Sequence, residues 1–143
     1  MKNSEINSTK GYIISNPDFD ERKDNLQLLR IIMTPEETKI DFGYQANDEY
    51  DKGGWIKINP KTFIRPVGTS KKFFLTNATN IPYGPELLHF QSTIEYRYFS
   101  LHFPPIPKTV KSIELIEKEH GNSTDFNFFG IILADPHKID LII

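Results

Sequence analysis

The side chains best suited to making or breaking bonds are four histidines, His89, His102, His120 and His137, in a chain without cysteine. A hydrolytic triad needs a hydroxyl or thiol nucleophile beside a base, and a third group that orients the base. No serine lies in a Gly-x-Ser-x-Gly turn. His102 falls within a predicted strand, and the other three fall in or near predicted turns. We therefore expect surface or half-buried histidines and a protein that is not an enzyme.

Paired carboxylates are the second candidate chemistry, because glycosidases hold two of them about 5 to 9 Å apart. The sequence places no two of them side by side, so a solvated charged surface is the favoured interpretation. A carboxylate-dependent hydrolase stays open as an alternative. The candidate carboxylates are Asp41, Asp48, Glu49, Asp51, Glu114 and Glu117.

The acidic residues do not form a recognisable metal motif. Asp18, Asp20 and Asp24 are spaced like the start of an EF-hand loop, which needs glycine at its sixth position and glutamate at its twelfth. Lys23 and Leu29 occupy those positions. A second acidic cluster, with one histidine, comprises Glu117, Glu119, His120 and Asp125. We predict neither a dedicated metal site nor a cofactor.

Aromatic side chains offer a binding surface instead. Side chains alternate between the two faces of a strand. In the segment 94–103, one face carries Phe99, Leu101 and Phe103, and the other carries Tyr96, Tyr98 and His102. In the shorter segment 55–58, Trp55 lies on the face opposite the isoleucines. Amphipathic aromatics on a rigid sheet suit a protein interface or sugar stacking. The predicted binding residues are Trp55, Tyr96, Tyr98 and His102.

The elements that position these residues read as strands almost throughout. Short apolar or alternating runs are separated by prolines, glycines and polar turns, and no segment of 11 residues shows a helical period. The pattern predicts an all-β fold of about 8–9 short strands, arranged as an antiparallel sandwich. The segment 77–86 contains two prolines and one glycine and is expected to be irregular.

Composition limits the partners. The 143 residues carry 17 basic and 19 acidic side chains, a net charge of −2, which argues against nucleic-acid binding. No run approaches the roughly 18 to 20 apolar residues that cross a bilayer, so membrane insertion is not expected. The polar segment 1–10 is predicted to be a flexible tail before a single domain over 11–143. This segment does not resemble a signal peptide, so a cytoplasmic location is expected, or an extracytoplasmic one if a signal has been removed.

Five pieces of the chain resemble, in order and spacing, an uncharacterised β-sandwich domain of Bacteroidetes. In exported proteins that domain often precedes thioredoxin-like or peptidase domains. The pieces are the segments 31–44, 53–66, 73–85, 99–117 and 126–131. The resemblance implies an immunoglobulin-like sandwich and supplies no catalytic residues.

These observations predict a non-catalytic binding module whose partner is another protein, for example a small bacterial protein that acts as immunity proteins do. The alternatives are an extracytoplasmic carbohydrate- or ligand-binding domain and the carboxylate-dependent hydrolase. The oligomeric state is not predicted. In the segment 26–33 two alternations are out of phase, so its buried face is ambiguous. The predicted core is Leu28, Ile32, Ile40, Phe42, Ile56, Ile58, Phe74, Phe99, Leu101, Phe103, Ile113, Leu115, Phe126, Phe128 and Ile131.

Overall fold

The described residues, 10–21, 23–47, 49–121 and 125–142, form antiparallel β-sheets in a computed structural model. The predicted all-β sandwich is confirmed, with twelve strands in the part described rather than eight or nine. A 3-10 turn spans Asp51–Gly53. The strands are β1 Gly11–Ser15, β2 Leu26–Met33, β3 Thr38–Gln45, β4 Trp55–Ile56, β5 Phe63–Pro66, β6 Phe73–Phe74, β7 Asn77–Thr79, β8 Leu88–His89, β9 Tyr96–Phe103, β10 Ser112–Ile116, β11 Phe128–Ile132 and β12 Ile139–Ile142.

Two sheets form the layers of the sandwich, and a third is small. The six-stranded sheet has the order β12-β1-β2-β3-β9-β7, and the four-stranded sheet has the order β11-β10-β5-β6. Strands β4 and β8 pair by themselves. The run β2-β3-β9-β7 matches strands A-B-E-D of an immunoglobulin sandwich, and β11-β10-β5-β6 matches G-F-C-C′. The fold is therefore immunoglobulin-like, with β1 and β12 extending the edge of one sheet.

Aromatic residues join the two sheets across the core. Phe42 of β3 stacks on Phe99 of β9 with ring centroids 5.0 Å apart. The same Phe42 ring lies 5.7 Å from that of Phe128 on β11, in the opposite sheet. Burying each such ring contributes about 2 to 3 kcal/mol to the stability of the folded protein. These contacts fix which face of β9 points inward and therefore which face is left for binding.

A β-bulge in β2 resolves its ambiguous pattern. Leu28 pairs with Phe42, but Arg30 pairs with Asp41, so the β2–β3 register shifts between them and Leu29 is the extra residue. A bulge reverses the alternation that follows it. Leu28 is buried as predicted, whereas after the bulge Ile31 and Met33 point inward. The core assignment of Ile32 is therefore wrong, because this residue is only partly buried.

The core assignment of Phe74 is also wrong, because its side chain is 50% exposed. β6 contains only two residues and lies at the edge of the four-stranded sheet. There Phe74 pairs with Phe63 and covers its ring on the outer face, 5.6 Å away edge to face. The remaining residues of the predicted core are buried.

Two short strands, β7 and β8, account for much of the difference in strand number. β7 lies within the segment expected to be irregular, and it pairs with β9 at only three positions. Two of its three residues, Asn77 and Ala78, have weak strand propensity, so tertiary pairing creates this strand.

The predicted tail lies outside the described residues except for Lys10, whose backbone N–H donates to Ile142 on β12. In the part of the chain that the structure describes, no helix is long and apolar enough to span a bilayer.

Candidate functional site

The outer face of β9 carries three of the four predicted binding residues. Tyr96, Tyr98, Ser100 and His102 point away from the core, while Phe99, Leu101 and Phe103 point into it. The exposure alternates because β9 pairs with β3 over its whole length without a register shift.

Tyr96 lies across the neighbouring strand rather than projecting into solvent. Its hydroxyl donates to Gln27 Oε1 on β2, 2.7 Å away, so the ring passes over Gly43 of β3. A Cβ atom at position 43 would collide with the Tyr96 hydroxyl. Glycine within a strand often marks such a close approach. Burial, and secondly the nearby Tyr98, raise the pKa of Tyr96 above its ordinary value.

Tyr98 contacts Tyr96 and is the more exposed of the two. The rings meet edge to face with centroids 5.1 Å apart. Tyr96 is 37% exposed and Tyr98 is 65% exposed. We call this pair the tyrosine ridge. It presents two phenol rings that the sheet and the Gln27 hydrogen bond already hold in place.

A recess lies on each side of the tyrosine ridge. The first encloses about 540 Å³. The second is a more open depression of about 530 Å³, lined by Asn80, Pro82, Leu88, Arg97 and Tyr98. Both volumes fall within the range of ligand sites. The lining of the first recess is Asn16, Pro17, Asp18, Phe19, Lys23, Asn25, Leu26, Gln27, Leu28, Leu29, Gln45 and Tyr96.

Amide side chains dominate the polar lining of the first recess. Asn25, at a positive φ of 67°, donates to the carbonyls of Gln45 and Ala46. Gln45 in turn donates to the carbonyls of Thr93 and Glu95. These bonds fix the amides, so this end of the sheet presents a preformed polar surface.

An ionic cluster centred on Asp41 lies in the middle of the same face. Its carboxylate accepts hydrogen bonds from Ser100 Oγ and Arg30 Nε, both at 2.6 Å, and lies 3.6 Å from Lys39 Nζ. Burial opposes ionisation of this carboxyl, but these donors and cations outweigh burial and lower the pKa of Asp41. The cluster ties β2, β3 and β9 together across the outer face.

His102 connects a hydroxyl to a carboxylate, which sequence reasoning did not foresee. Its Nε2 lies 2.9 Å from Thr79 Oγ1 of β7, and its Nδ1 lies 2.9 Å from Glu37 Oε1. A neutral ring that donates from Nδ1 and accepts at Nε2 satisfies both bonds. This is the connectivity of a nucleophile, base and acid. However, Thr79 is exposed and the Glu37 side chain is 42% exposed, whereas such catalysis relies on a site that excludes water.

Trp55, the fourth predicted residue, lies on a different element. It pairs with His89 in the two-stranded sheet, and its side chain is 48% exposed. Leu88, the neighbour of His89, lines the second recess beside Tyr98. The structure therefore groups Tyr96 and Tyr98, places His102 further along the same face, and leaves Trp55 on the separate two-stranded sheet.

The buried carboxylate of Glu117 has a structural role. It accepts hydrogen bonds from the backbone N–H groups of Asn59 and Phe126, at 2.9 and 2.8 Å. Glu119, from the same acidic cluster, lies near the cations of Arg65 and Lys72. Among the residues described, no three acidic or histidine side chains are grouped so as to hold a metal ion.

Gln27 and Gln45 at the ridge, and Glu37 and Thr79 around His102, were absent from the predicted site. Gly43 was the one available signal, because glycine in a predicted strand interior suggests that another group approaches closely. The other contacts depend on strand register, which no local pattern reveals.

Comparison of the chain with protein-family models, with curated proteins and with solved structures gives no match. The resemblance to the Bacteroidetes sandwich domain therefore stays a prediction, and the surface geometry is the basis for inferring function.

Proposed function

We propose that this protein is a non-catalytic module that binds another protein through the tyrosine ridge. The observation that carries the proposal is the pair itself: two rings in mutual contact, open to solvent, on the outer face of a rigid sheet. Tyrosine contributes disproportionately to protein interfaces, because it offers a large amphipathic surface with few rotatable bonds.

Preorganisation supports this proposal. Association costs free energy when side chains must be immobilised, at about 0.5 to 1.5 kcal/mol each. Tyr96 is already held by Gln27 and by its position over Gly43. Tyr98 packs against it, so much of this cost is met before a partner arrives. A small bacterial protein that neutralises or escorts a partner, as immunity proteins do, is one form this function would take.

A second candidate is binding of a small polar ligand such as a sugar, and the first recess favours it. The recess combines amides at Asn25, Gln27 and Gln45 with the phenol of Tyr96. Such groups match hydroxyl-rich ligands. Its described lining contains one carboxylate, Asp18, which lies 2.9 Å from Lys138 Nζ. Glycoside hydrolysis by the usual route needs two, so this recess lends no support to the hydrolase alternative.

The protein-binding proposal is tested by affinity capture from the source organism with the double variant Tyr96→Ala and Tyr98→Ala. We expect a stoichiometric protein partner on the native protein and at least about tenfold less of it on the variant, because losing two interface tyrosines typically costs more than 1.4 kcal/mol. The measurement is quantitative mass spectrometry of the captured proteins. Phe74→Ala is the matched control, since it removes an exposed aromatic from the opposite sheet.

Gly43→Ala sharpens this experiment, because the new methyl group displaces the Tyr96 ring without removing it. Capture should fall with this variant as well. Equal capture by the native protein and the double tyrosine variant, with both proteins folded, would exclude the ridge. Saturable sugar binding that is lost on Gln27→Ala, without any captured protein, would favour the second candidate instead.

A further inference from the structure

Strand β9 has one fully paired edge and one edge that is paired for only part of its length. β3 pairs with β9 from Tyr96 to Phe103. On the other side, β7 pairs with it only from Ser100 to His102. On the β7 side, the half of β9 that carries the tyrosine ridge therefore has no neighbouring strand among the described residues.

The backbone groups of Tyr96 and Tyr98 point toward this open side. In an antiparallel ladder, the N–H and C=O of one residue point to the same side, and successive residues alternate. The carbonyl of His102 accepts from Thr76, on the β7 side, whereas the carbonyl of Glu95 accepts from Ala46, on the β3 side. The backbone N–H and C=O groups of the even-numbered residues of β9 therefore point away from β3. None of the hydrogen bonds found within the described ranges involves the backbone of Tyr96 or Tyr98 on the open side.

The chain leaves this edge abruptly after β7. Asn80 has a positive φ of 65°, which turns the backbone away from β9. The carbonyl of Pro82 then accepts from Ile58 N–H, so the segment is held against a different part of the molecule. The second recess, of about 530 Å³, lies where the next residues of β7 would have continued the pairing.

We propose that this recess binds an extended segment of the partner protein, which adds to the sheet as a strand in line with β7. This inference rests on the proposed partner-binding function and specifies how binding occurs. The backbone groups of Tyr96 and Tyr98 supply the hydrogen bonds, as in other cases of strand addition. Alternate side chains of the segment contact Pro82 and Leu88 on one side and the tyrosine ridge on the other.

The far wall of the recess selects this occupant. Asn80, Pro82 and Leu88 lie opposite β9. Beside these residues a single extended segment is the favoured occupant, because the edge of a second folded sheet, as in a second copy of this chain, would bring neighbouring strands toward the same wall. An exposed, unpaired strand edge otherwise tends to aggregate. A wall beside the edge disfavours pairing between two folded sheets and favours an unfolded or loop segment.

The first test needs only the free protein. Amide hydrogen exchange followed by NMR should show Tyr96 and Tyr98 exchanging roughly 100-fold faster than Arg97 and Phe99, whose N–H groups face β3. Comparable slow exchange at all four positions would show that the edge is already paired and would overturn the inference.

The second test uses a displayed library of random peptides of about twelve residues, selected on the native protein and counter-selected on Tyr98→Pro. Proline removes the N–H that faces the recess together with the ring, so Tyr98→Ala, which removes the ring alone, is the matched control. A selected peptide should slow exchange at Tyr96 and Tyr98 at least about tenfold. Methylating its backbone nitrogens one at a time should weaken binding at every second position, as the alternation of a strand requires.

The outcomes separate this inference from the function on which it rests. Binding that depends on the tyrosine rings, but leaves exchange at Tyr96 and Tyr98 unchanged and shows no alternation, would overturn strand addition and leave the ridge as an ordinary interface. Failure to select any peptide that protects these amides would also overturn it. Concentration-dependent dimerisation that protects them would identify a second copy as the occupant. Capture that is indifferent to the rings would instead refute the proposed function.

Discussion

The outer faces of the two sheets differ in how one aromatic ring, Phe63, and the tyrosine ridge are covered. On the four-stranded sheet, Phe63 is only 5% exposed, because Phe74 packs on its edge and the cations of Arg65 and Lys72 lie 5.4 and 4.8 Å from its ring centroid. Arg65 is fixed in turn by two hydrogen bonds to Glu114. On the six-stranded sheet, none of the described cations lies over the tyrosine ridge, which is open to solvent.

The difference shows that a ring on an outer face of this fold can be covered by the protein's own side chains, as Phe63 is, although Phe74 beside it stays 50% exposed. Both faces are solvent-side faces of short antiparallel strands. On one of them, charged side chains of the protein cover Phe63. Cations over aromatic rings are worth about 0.5 to 1 kcal/mol at exposed sites. Arg65 and Lys72 thus cover the Phe63 ring on one sheet, whereas no described cation covers the tyrosine ridge. This is the pattern expected if the ridge contacts another molecule.

The largest expected effect concerns stability on the two faces. Phe63→Ala should lower the free energy of unfolding by about 3 kcal/mol, because it removes a buried ring and leaves Phe74, Arg65 and Lys72 without a surface to pack on. Tyr98→Ala should change it by less than about 0.5 kcal/mol, since its ring is mostly in solvent. Urea unfolding followed by fluorescence measures both.

The comparison of the two faces requires that Phe63→Ala lower the free energy of unfolding much more than Tyr98→Ala does. Equal losses from the two substitutions would mean that the ridge contributes to stability as Phe63 does, and its exposure would no longer indicate a binding surface. Tyr98→Phe is the control, because it keeps the ring and removes only the hydroxyl.

Local sequence patterns predicted most of the fold. The alternation from Phe99 to Phe103 fixed the inward face of β9, and prolines marked its end. The errors have physical causes. The bulge at Leu29 reversed the alternation in β2, so Ile32 was placed on the wrong face. Nothing in the local pattern distinguishes an apolar residue that faces the core from one, such as Phe74, that covers another ring on the outside.

The site was predictable only in part. Period-two alternation was enough to place Tyr96, Tyr98 and His102 together on the outer face of β9. It was not enough to show that Tyr96 lies across β3 to reach Gln27, or that Thr79 lies beside His102. These contacts join residues 69 and 23 positions apart in the chain, so they follow from strand order and register. Both are properties of the whole fold.

A smaller effect is expected from the ionic cluster on the six-stranded face. Its lowered pKa means that Asp41 binds protons less readily in the folded than in the unfolded protein. Its contribution to stability is therefore complete above the unfolded pKa, about 4, and is lost as the pH falls through the lower folded value. Asp41→Asn should cost about 1 kcal/mol at neutral pH, since Arg30 is half exposed and the ion pair is screened.

The measurement is the free energy of unfolding between neutral pH and roughly pH 2.5, a range that spans the ordinary carboxyl pKa. The native protein should lose stability more steeply with acid than the variant, and the two curves should converge at the lowest pH. Asp140→Asn is the control, because Asp140 is an exposed carboxylate on the edge strand β12. Parallel curves for the native protein and Asp41→Asn would contradict the assigned role.

The smallest effect is expected from the hydrogen bonds around His102. Their order could be mistaken for a catalytic arrangement. The order of Thr79, His102 and Glu37 is that of a hydrolytic triad. If it is instead a cross-strand tie, Thr79→Val removes one exposed hydrogen bond and lowers the free energy of unfolding by about 0.5 kcal/mol.

Hydrolysis of p-nitrophenyl acetate should then proceed at the same rate with Thr79→Val as with the native protein, and no acetyl group should accumulate on Thr79. A rate that falls at least about tenfold with this variant, together with acetylated Thr79 in the native protein, would make the face catalytic and would contradict the non-catalytic assignment. The tie interpretation is favoured because water reaches both ends of the linkage, and a hydroxyl that competes with bulk water gains little from a neighbouring base.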